Sequence, residues 1–492
     1  MAAEQTNPSV LGPPTTLAWE ALLDLGTGSG SRVARLEHAV RDAVRAGRAP
    51  VGAALPPSRQ LAETLGVSRW VVTEAYGQLV AEGVLEARTG SATRVAASAS
   101  PRAAASRTVA GAPPGSEARV APRLPYDLAP GVPDLRHVPR DAWLRAAREA
   151  LSTASNDDLD APARSGHPRA RAAIAGHLHR ARVVAGGHEA VVVTHGATDG
   201  MARVAAALAA DGHTHLLVEN PSWPVLRDVA ARAGLVPVPV PVDADGVDTA
   251  ALVAASRRTG ARVALLTPAH QFPTGTALAP ARREAVVAWA REVDGLVVED
   301  DYDAEFRYDR RPVAALQGLA PDRVVLLGSI SKTLSPAFGL GWMVVPPRWR
   351  EAVAREHGPT SGPSVVEQLT FARLVGSGAY DRHLRAARGR YRRRRDALLA
   401  ALAHELPAAG VRGIAAGMHA LLHLGDEAPD AAHVVPEAAA RAVAVVDLRR
   451  YQAHPVALST TIVLGYGNLA DARVAEAVRR LADAVRAAGT SR

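Results

Sequence analysis

The chain has 492 residues, a formal net charge of +8, a 48% apolar share and no cysteine, and its length suggests two to four domains. Zero cysteines exclude disulfides, thiolate catalysis and Cys-based zinc sites, and the 17 histidines form no His-Glu-x-x-His pattern, so metal catalysis has no support. No stretch approaches the ~20 apolar residues of a membrane span and no secretory signal opens the chain, so no membrane partner is expected and the cytoplasm is the expected compartment.

Residues 33–46 have helical periodicity. Ser58 is expected to cap a helix over 59–65, whose Gly66-Val67 turn feeds a second helix capped by Ser68. This is helix-turn-helix spacing. The second helix runs through Tyr76, Leu79 and Val80 to the breaker Gly83, after which 84–87 and 93–95 flank Thr89-Gly90-Ser91 as the two strands of a wing. Charge adds little, because residues 1–96 carry nine Arg against nine Asp plus Glu. The basic excess is densest over 382–395, in a helical pattern where a solvated face is the ordinary reading.

Residues 97–125 are Ala, Ser, Pro, Gly and Arg with almost no large apolar side chain, the composition of a flexible linker. From 190 onward, short β-branched runs recur at 190–194, 215–218, 263–267, 295–298, 324–327 and 340–345, with helical patterns such as 200–210 and 280–293 between several of them. Continuous rather than alternating apolar runs indicate strands buried on both faces, so an α/β fold is expected, a mostly parallel sheet covered by helices. From about 347 the pattern changes to long helices (365–375, 383–406), short strands (419–424, 442–447, 461–465) and a final helix over 472–488.

Polar clusters follow directly after these runs, at the carboxyl edge where open α/β sheets bind ligands. His195-Gly196-Ala197-Thr198 leads into a helix, whose free N–H groups and hydroxyl suit a phosphate. Trp223 can stack on a planar ring, although a lone Trp more often packs in a core. Next come His270-Gln271-Phe272-Pro273-Thr274-Gly275 and then Glu299-Asp300-Asp301-Tyr302-Asp303, an acidic cluster that calls for a cation or a metal. The fifth run leads to Ser329-Ile330-Ser331-Lys332, and Lys332 is the one lysine of the chain. Codon bias would thin out lysines without regard to role. Arg replaces Lys wherever only charge is needed, however, so the survivor marks a place that requires a primary amine. Schiff-base formation is the leading requirement, and it predicts pyridoxal phosphate.

The order small-residue turn, aromatic, Pro-Thr-Gly turn, strand-Asp-x-Tyr and Ser-x-Ser-Lys resembles the fold type I aminotransferases. The wording of 299–308, Glu-Asp-Asp-Tyr-Asp-Ala-Glu-Phe-Arg-Tyr, with that of 270–275 and 331–336, is closer still to the MocR-type transcription regulators of the GntR superfamily. These join a winged helix-turn-helix to an aminotransferase-like domain. The runs Leu55-Pro-Pro-Ser-Arg59 and Leu65-Gly-Val-Ser-Arg69, with 75–83, resemble GntR-type readers. The resemblance implies a GntR-type winged helix-turn-helix over 18–96, a linker over 97–125, a pyridoxal-phosphate-binding large domain over 126–346 entered through 126–134, and a smaller C-terminal α/β domain over 347–492.

Roles follow by position. The resemblance implies a Schiff base at Lys332, Asp300 on the pyridine nitrogen, Tyr302 on the phenolic oxygen and Trp223 stacked on the ring. Gly196, Ala197, Thr198 and Ser329 would hold the phosphate, and His270 or Gln271 would replace the family's Asn at the phenolic oxygen. Arg59, Ser68, Arg69, Thr73 and the tip at Thr89 and Gly90 would meet DNA, Arg being the usual donor to guanine and phosphate. Trp70 and Val71 stand where small polar residues are common, which implies an altered operator.

Three departures stand out. Gly339 replaces the usual phosphate-binding Arg, Ser165-Gly166-His167-Pro168 replaces a Tyr-Gly-Asp-Pro segment, and 455–467 holds no Arg for a substrate carboxylate. Arg164 is a candidate to supply the missing phosphate charge. The implied protein is a homodimeric regulator that binds a double-stranded DNA operator and senses pyridoxal 5'-phosphate, alone or with an amine or amino-acid effector. Two other readings stay open: an active aminotransferase with an attached DNA head, and a regulator whose domain has lost the cofactor.

Overall fold

The computed structural model describes residues 19–23, 25, 30–87, 92–96, 124–160, 164–308, 313–356, 362–454 and 458–490. The chain divides into two compact units, Met1–Ala121 and Pro122–Arg492. In the first, the helix Arg32–Arg45 is capped by Ser31, whose hydroxyl accepts from Ala34 N at 3.2 Å. Leu36, Val40 and Ala43 on its inner face pack with Leu61, Val72, Ala75 and Leu79 of the following helices, Ser58–Leu65 and Arg69–Ala81. Trp19 plugs this core at 1% exposure and donates its indole N–H to Ala54 O at 2.8 Å.

Between the two helices Gly66 is left-handed (φ 64°), which a side chain would oppose. Ser58 does not cap the first of them: Pro57 holds the cap position, no side chain caps the end, and Ser58 opens the helix itself. A proline already set at φ −53° directs the chain into the helix, which leaves the Ser58 hydroxyl to accept from Arg69 Nε at 3.4 Å. Leu85–Glu86 and Arg94–Val95 pair antiparallel. The expected wing tip, Thr89 to Ser91, lies outside the described residues.

The second unit is built on an eight-stranded sheet. Its spatial order is Val191–Thr194, Gly341–Val344, Val324–Ser329, Leu296–Asp300, Val263–Leu266, His215–Asn220, Val236–Asp243 and Gly246–Val247. Gly341–Val344 runs antiparallel to both neighbours and Gly246–Val247 antiparallel to its one, while the other pairings are parallel. Helices including Ala197–Ala210, Pro280–Glu292 and Pro347–Arg355 cover it, and the central strands Val263–Leu266 and Leu296–Asp300 are buried throughout.

The strand Val236–Asp243 has no counterpart among the expected runs, because its Val-Pro alternation reads as a breaker. Val236 N donates to Thr214 O at 2.7 Å, so every second nitrogen faces the neighbouring strand and the intervening prolines face the sparsely paired edge, where no donor is needed.

The C-terminal lobe carries a four-stranded antiparallel sheet in the order Gly410–Arg412, His419–His423, Thr461–Gly465 and Val446–Asp447. The long helix Ala379–Glu405 and the helices Ala431–Ala440 and Val474–Thr490 pack with it. The entry segment, which the sequence groups with the large domain, is hydrogen-bonded to this lobe instead. Tyr126–Asp127 pairs with Val443–Ala444, and Gly465 N donates to Leu128 O at 2.7 Å.

Arg394, 1% exposed, locks that arrangement. It reaches Asp134 at 2.7 Å, Asp471 at 2.7 Å, Tyr466 O at 3.0 Å and Gly467 O at 2.5 Å. Part of the basic run 382–395 is therefore interior, and Arg388 likewise pairs with Glu305 at 3.1 Å. Burial pushes the Asp134 carboxyl up, but Arg136 and Arg394 outweigh it and hold the group at about 2.

Arg394→Ala removes one of the two guanidinium partners of the buried Asp134 and should cost about 3 kcal/mol in urea unfolding at pH 7, with much of the loss recovered in Asp134→Asn/Arg394→Met. Since Asp134 titrates below its unfolded value, its contribution is complete above pH ~4 and is lost as pH falls toward 2. The double variant should lose that part of the acid limb, and Arg394→Ala should keep the share that Arg136 provides.

Candidate functional site

The run at the end of Leu296–Asp300 is sorted by the alternation of strand side chains. Glu299 points to one face, where the N–H groups of Leu316 and Gln317 donate to it at 3.0 and 2.9 Å. Asp301 meets Arg182 at 2.8 Å, both side chains being nearly inaccessible, so one cation that the acidic cluster calls for belongs to the protein itself. Asp300 and Asp303 instead line a cavity of about 320 Å³. Asp300 is 8% exposed and its Oδ1 has no hydrogen-bond partner. Burial, reinforced by Asp301, pushes its carboxyl up to about 7, with Lys332 pulling the other way.

Lys332 lies on a turn beyond Val324–Ser329 that Ile330 pins by donating to Leu340 O at 3.1 Å. Its Nζ donates to Gly131 O on the entry segment. Burial lowers its pKa from the ordinary lysine value, opposed by Asp300 and Asp303.

At the other end of the cavity, Gly196, Ala197 and Thr198 begin the helix Ala197–Ala210, which has no side-chain cap. The backbone is tight here: a Cβ on Gly341 would stand 2.5 Å from Gly196 Cα. Ser329 and Ser331 complete this end. Trp223 forms a side wall, edge-on to Phe272 at 5.5 Å and stacked with Tyr451 at 6.0 Å.

Lys332, Asp300, Tyr302, Trp223, Gly196, Ala197, Thr198 and Ser329 thus line one cavity. His270 and Gln271 are outside its wall. His270 sits behind Tyr302, with Nδ1 3.1 Å from the Tyr302 hydroxyl and 3.0 Å from each oxygen of Asp303. Gln271 is turned away, donating to Glu219, Pro221 O and Phe272 O. Burial pushes Glu219 up to about 7 and Tyr302 well above the ordinary tyrosine value.

The wall also includes Gly131, Phe272, Asp303, Met418 and His419, none of which the sequence singles out. Asp303 stands in the acidic run, Phe272 in the 270–275 turn and Gly131 in the entry segment, while Met418 and His419 carry no local signal. Burial and the nearby His270 hold the His419 imidazole well below its ordinary pKa.

The departures have structural counterparts. Gly339 is left-handed with open space where a Cβ would go. His167 is spent on local contacts, capping the helix Pro168–Arg182 and bonding Asp158 at 2.9 Å. Arg164 is exposed and outside the wall. An uncapped helix end facing an orphaned buried carboxylate and a lysine fits a phosphorylated pyridine aldehyde.

In the first unit, Arg59, Ser68, Arg69 and Thr73 are all exposed. Arg59 makes a solvent-exposed pair with Glu63 at 3.4 Å. Ser68 caps its helix by accepting from Val71 N at 3.4 Å, and Thr73 donates to Arg69 O at 3.0 Å. Val71, expected to face the operator, is 6% exposed and belongs to the core, whereas Trp70 beside it is 66% exposed. Thr89 and Gly90 are not among the described residues.

Residues 126–481 match the family model of aminotransferase class I and II, and residues 32–95 that of the bacterial regulatory proteins, gntR family. The chain is 33% identical over 452 residues to the HTH-type pyridoxine biosynthesis transcriptional regulator PdxR of Corynebacterium glutamicum, a match covering 92% of this chain and 95% of that one. It is 33% identical over 379 residues to the probable rhizopine catabolism regulatory protein MocR of Rhizobium meliloti, covering 74% and 76%. The crystal structure of Pyrococcus horikoshii kynurenine aminotransferase in complex with PMP has the same fold as the second unit, with a TM-score of 0.67 at 22% identity over 75% of this chain and 92% of that one. No helix among the described residues is long and apolar enough to cross a membrane.

Because the folded pKa of Asp300 lies above its unfolded value of ~3.9, ligand-free protein should lose stability as pH rises from about 4 through about 7. Asp300→Asn removes the buried ionisation. It should raise the melting temperature at pH 8 and leave it nearly unchanged at pH 4, as read by calorimetry on protein stripped of ligand. An equal effect at both pH values would show that the carboxylate carries no burial penalty.

Proposed function

The chain belongs to the MocR-type transcription regulators of the GntR superfamily, and on that footing we propose that its second unit senses pyridoxal 5'-phosphate, alone or with an effector, and thereby controls the first unit's hold on a double-stranded DNA operator. One observation carries the cofactor reading: the unpartnered Oδ1 of Asp300, buried in the wall that also holds Lys332. An orphaned buried carboxylate oxygen is costly unless a ligand satisfies it, and a protonated ring nitrogen does so with a charge-assisted bond.

Each wall residue then has a task. Lys332 supplies the amine for the Schiff base, Tyr302 donates to the phenolic oxygen, and Trp223 closes one ring face. Gly196, Ala197 and Thr198 offer helix-start donors to the phosphate, joined by Ser329. His270 acts at one remove, through Tyr302. Bound pyridoxal phosphate supplies an electrophilic carbon that an amine can take over reversibly from Lys332.

In the head, Arg59, Arg69 and Thr73 are the groups we assign to DNA, with Ser68 setting the helix start and Thr89 and Gly90 added by the family resemblance alone. A two-fold homodimer would present two such heads to paired half-sites. Sensing requires only that the cofactor bind one arrangement of the heads more tightly than another.

Purified protein with pyridoxal phosphate should show a visible absorption band that borohydride fixes onto Lys332 and that Lys332→Ala lacks. Operator footprints of the wild type should change with the cofactor and those of Lys332→Ala should not. Identical footprints in all four samples would remove the sensor reading.

Arg59→Ala and Arg69→Ala should each weaken operator binding by about 1–3 kcal/mol if the contact is bidentate to guanine, measured by titration at fixed salt. If either arginine grips only phosphate, the loss should instead be uniform across operator variants and flatten the salt dependence.

A further inference from the structure

The wall carries two carboxylates, Asp300 and Asp303, beside Lys332 and the imidazoles of His195 and His419. Asp300 is committed to the ring nitrogen in the reading above, on which the following rests. Asp303 is the other carboxylate of the wall and has no task in that reading. It is 3% exposed, and His270 Nδ1 lies 3.0 Å from both of its oxygens.

A carboxylate only accepts, so the proton of this bond is on Nδ1. His270 Nε2 is buried without a partner, and a second proton there would be stranded. His270 is therefore placed to hold Asp303 in position through Nδ1. His419, whose imidazole burial holds well below its ordinary pKa, has a donor atom within 4.8 Å of Asp303, and Phe272, Met418 and Pro336 elsewhere in the wall are uncharged. Buried negative charge attracts an ammonium group and repels a carboxylate, with little screening by salt.

We propose that the effector of this site is a primary amine without a carboxylate, selected against amino acids by Asp303 and by His270 as its positioning residue. Asp303 would take one proton from the incoming ammonium group, leaving a neutral amine that could replace Lys332 at the cofactor's carbonyl carbon. The released Lys332 amine would then take that proton back from Asp303, so charge balances and no oxidant or reductant is needed.

The test uses full-length protein loaded with pyridoxal phosphate and titrated with 2-phenylethylamine or L-phenylalanine, which differ by one carboxylate. A chelator is present throughout, because donor atoms of His270, Asp303 and His419 lie within 4.8 Å of one another and could hold stray metal. The visible band should shift at a concentration of amine at least about tenfold below that of the amino acid, one decade being about 1.4 kcal/mol of discrimination. Asp303→Asn should move the two midpoints in opposite directions, amine up and amino acid down, which a merely loosened fold would not do. Asp303→Glu should restore the order.

A protein with no band at all would sink the cofactor reading rather than this one. With the band present, equal midpoints, a preference for the amino acid, or a band that neither probe moves would each overturn the amine assignment.

Discussion

Four carboxylates stand within five residues at one strand end, Glu299, Asp300, Asp301 and Asp303, and all of them are removed from water. Their mutual repulsion would be prohibitive if they shared one compartment. The pleat parts Glu299, which receives two backbone N–H groups, from Asp300, and the turn beyond the strand sends Asp301 to Arg182 and Asp303 to the cavity beside Asp300. Because buried ionised groups must be paired or neutralised, the helix Pro168–Arg182, the segment around Leu316 and the turn bearing His270 each have to be where they are. The two carboxylates that face the cavity then give it a negative wall beside a single amine.

The same cavity is not the property of one lobe. Gly131, whose carbonyl accepts from Lys332, lies on the entry segment, and that segment is fastened to the C-terminal lobe through Asp134 and Arg394. Met418 and His419 come from the C-terminal lobe itself. A ligand in the cavity therefore touches both lobes at once, and any shift of one against the other changes its contacts. Reciprocity follows: whatever alters the lobes alters ligand affinity by the same free energy.

At the cavity end that we assign to the phosphate, charge differs from the pattern the family resemblance implies. Gly339 stands in open space where relatives place a guanidinium, and the donors that remain are helix-start N–H groups and hydroxyls. Such donors retain an anion by dipole and hydrogen bond rather than by full charge, and they demand close backbone approach. Gly341 against Gly196 provides that approach, since a single methyl group there would collide.

Much of the second unit was legible because it is local. Continuous β-branched runs mark strands buried on both faces, and six of the sheet's strands fall on them. Among the wall residues carried by strand ends, Lys332 could be named as the chain's one lysine and Asp300, Tyr302 and Ser329 by the family resemblance, while the helix-turn-helix with its Ser68 cap could be read from spacing. Val236–Asp243 was hidden because prolines read as breakers unless the sheet edge is known. Ser58, Val71 and Gln271 were misplaced because a cap, a buried face and a side-chain direction depend on what packs nearby. Gly131, Met418 and His419 were invisible, being more than two hundred residues from Lys332 or on another lobe. Periodicity and backbone sterics are settled within about ten residues of chain, so the sequence by itself determined the elements, the head's class and the amine at Lys332. Which side chains share a cavity, and which carboxylates keep their charge, was decided only when burial brought distant segments together and forced each polar group to find a partner.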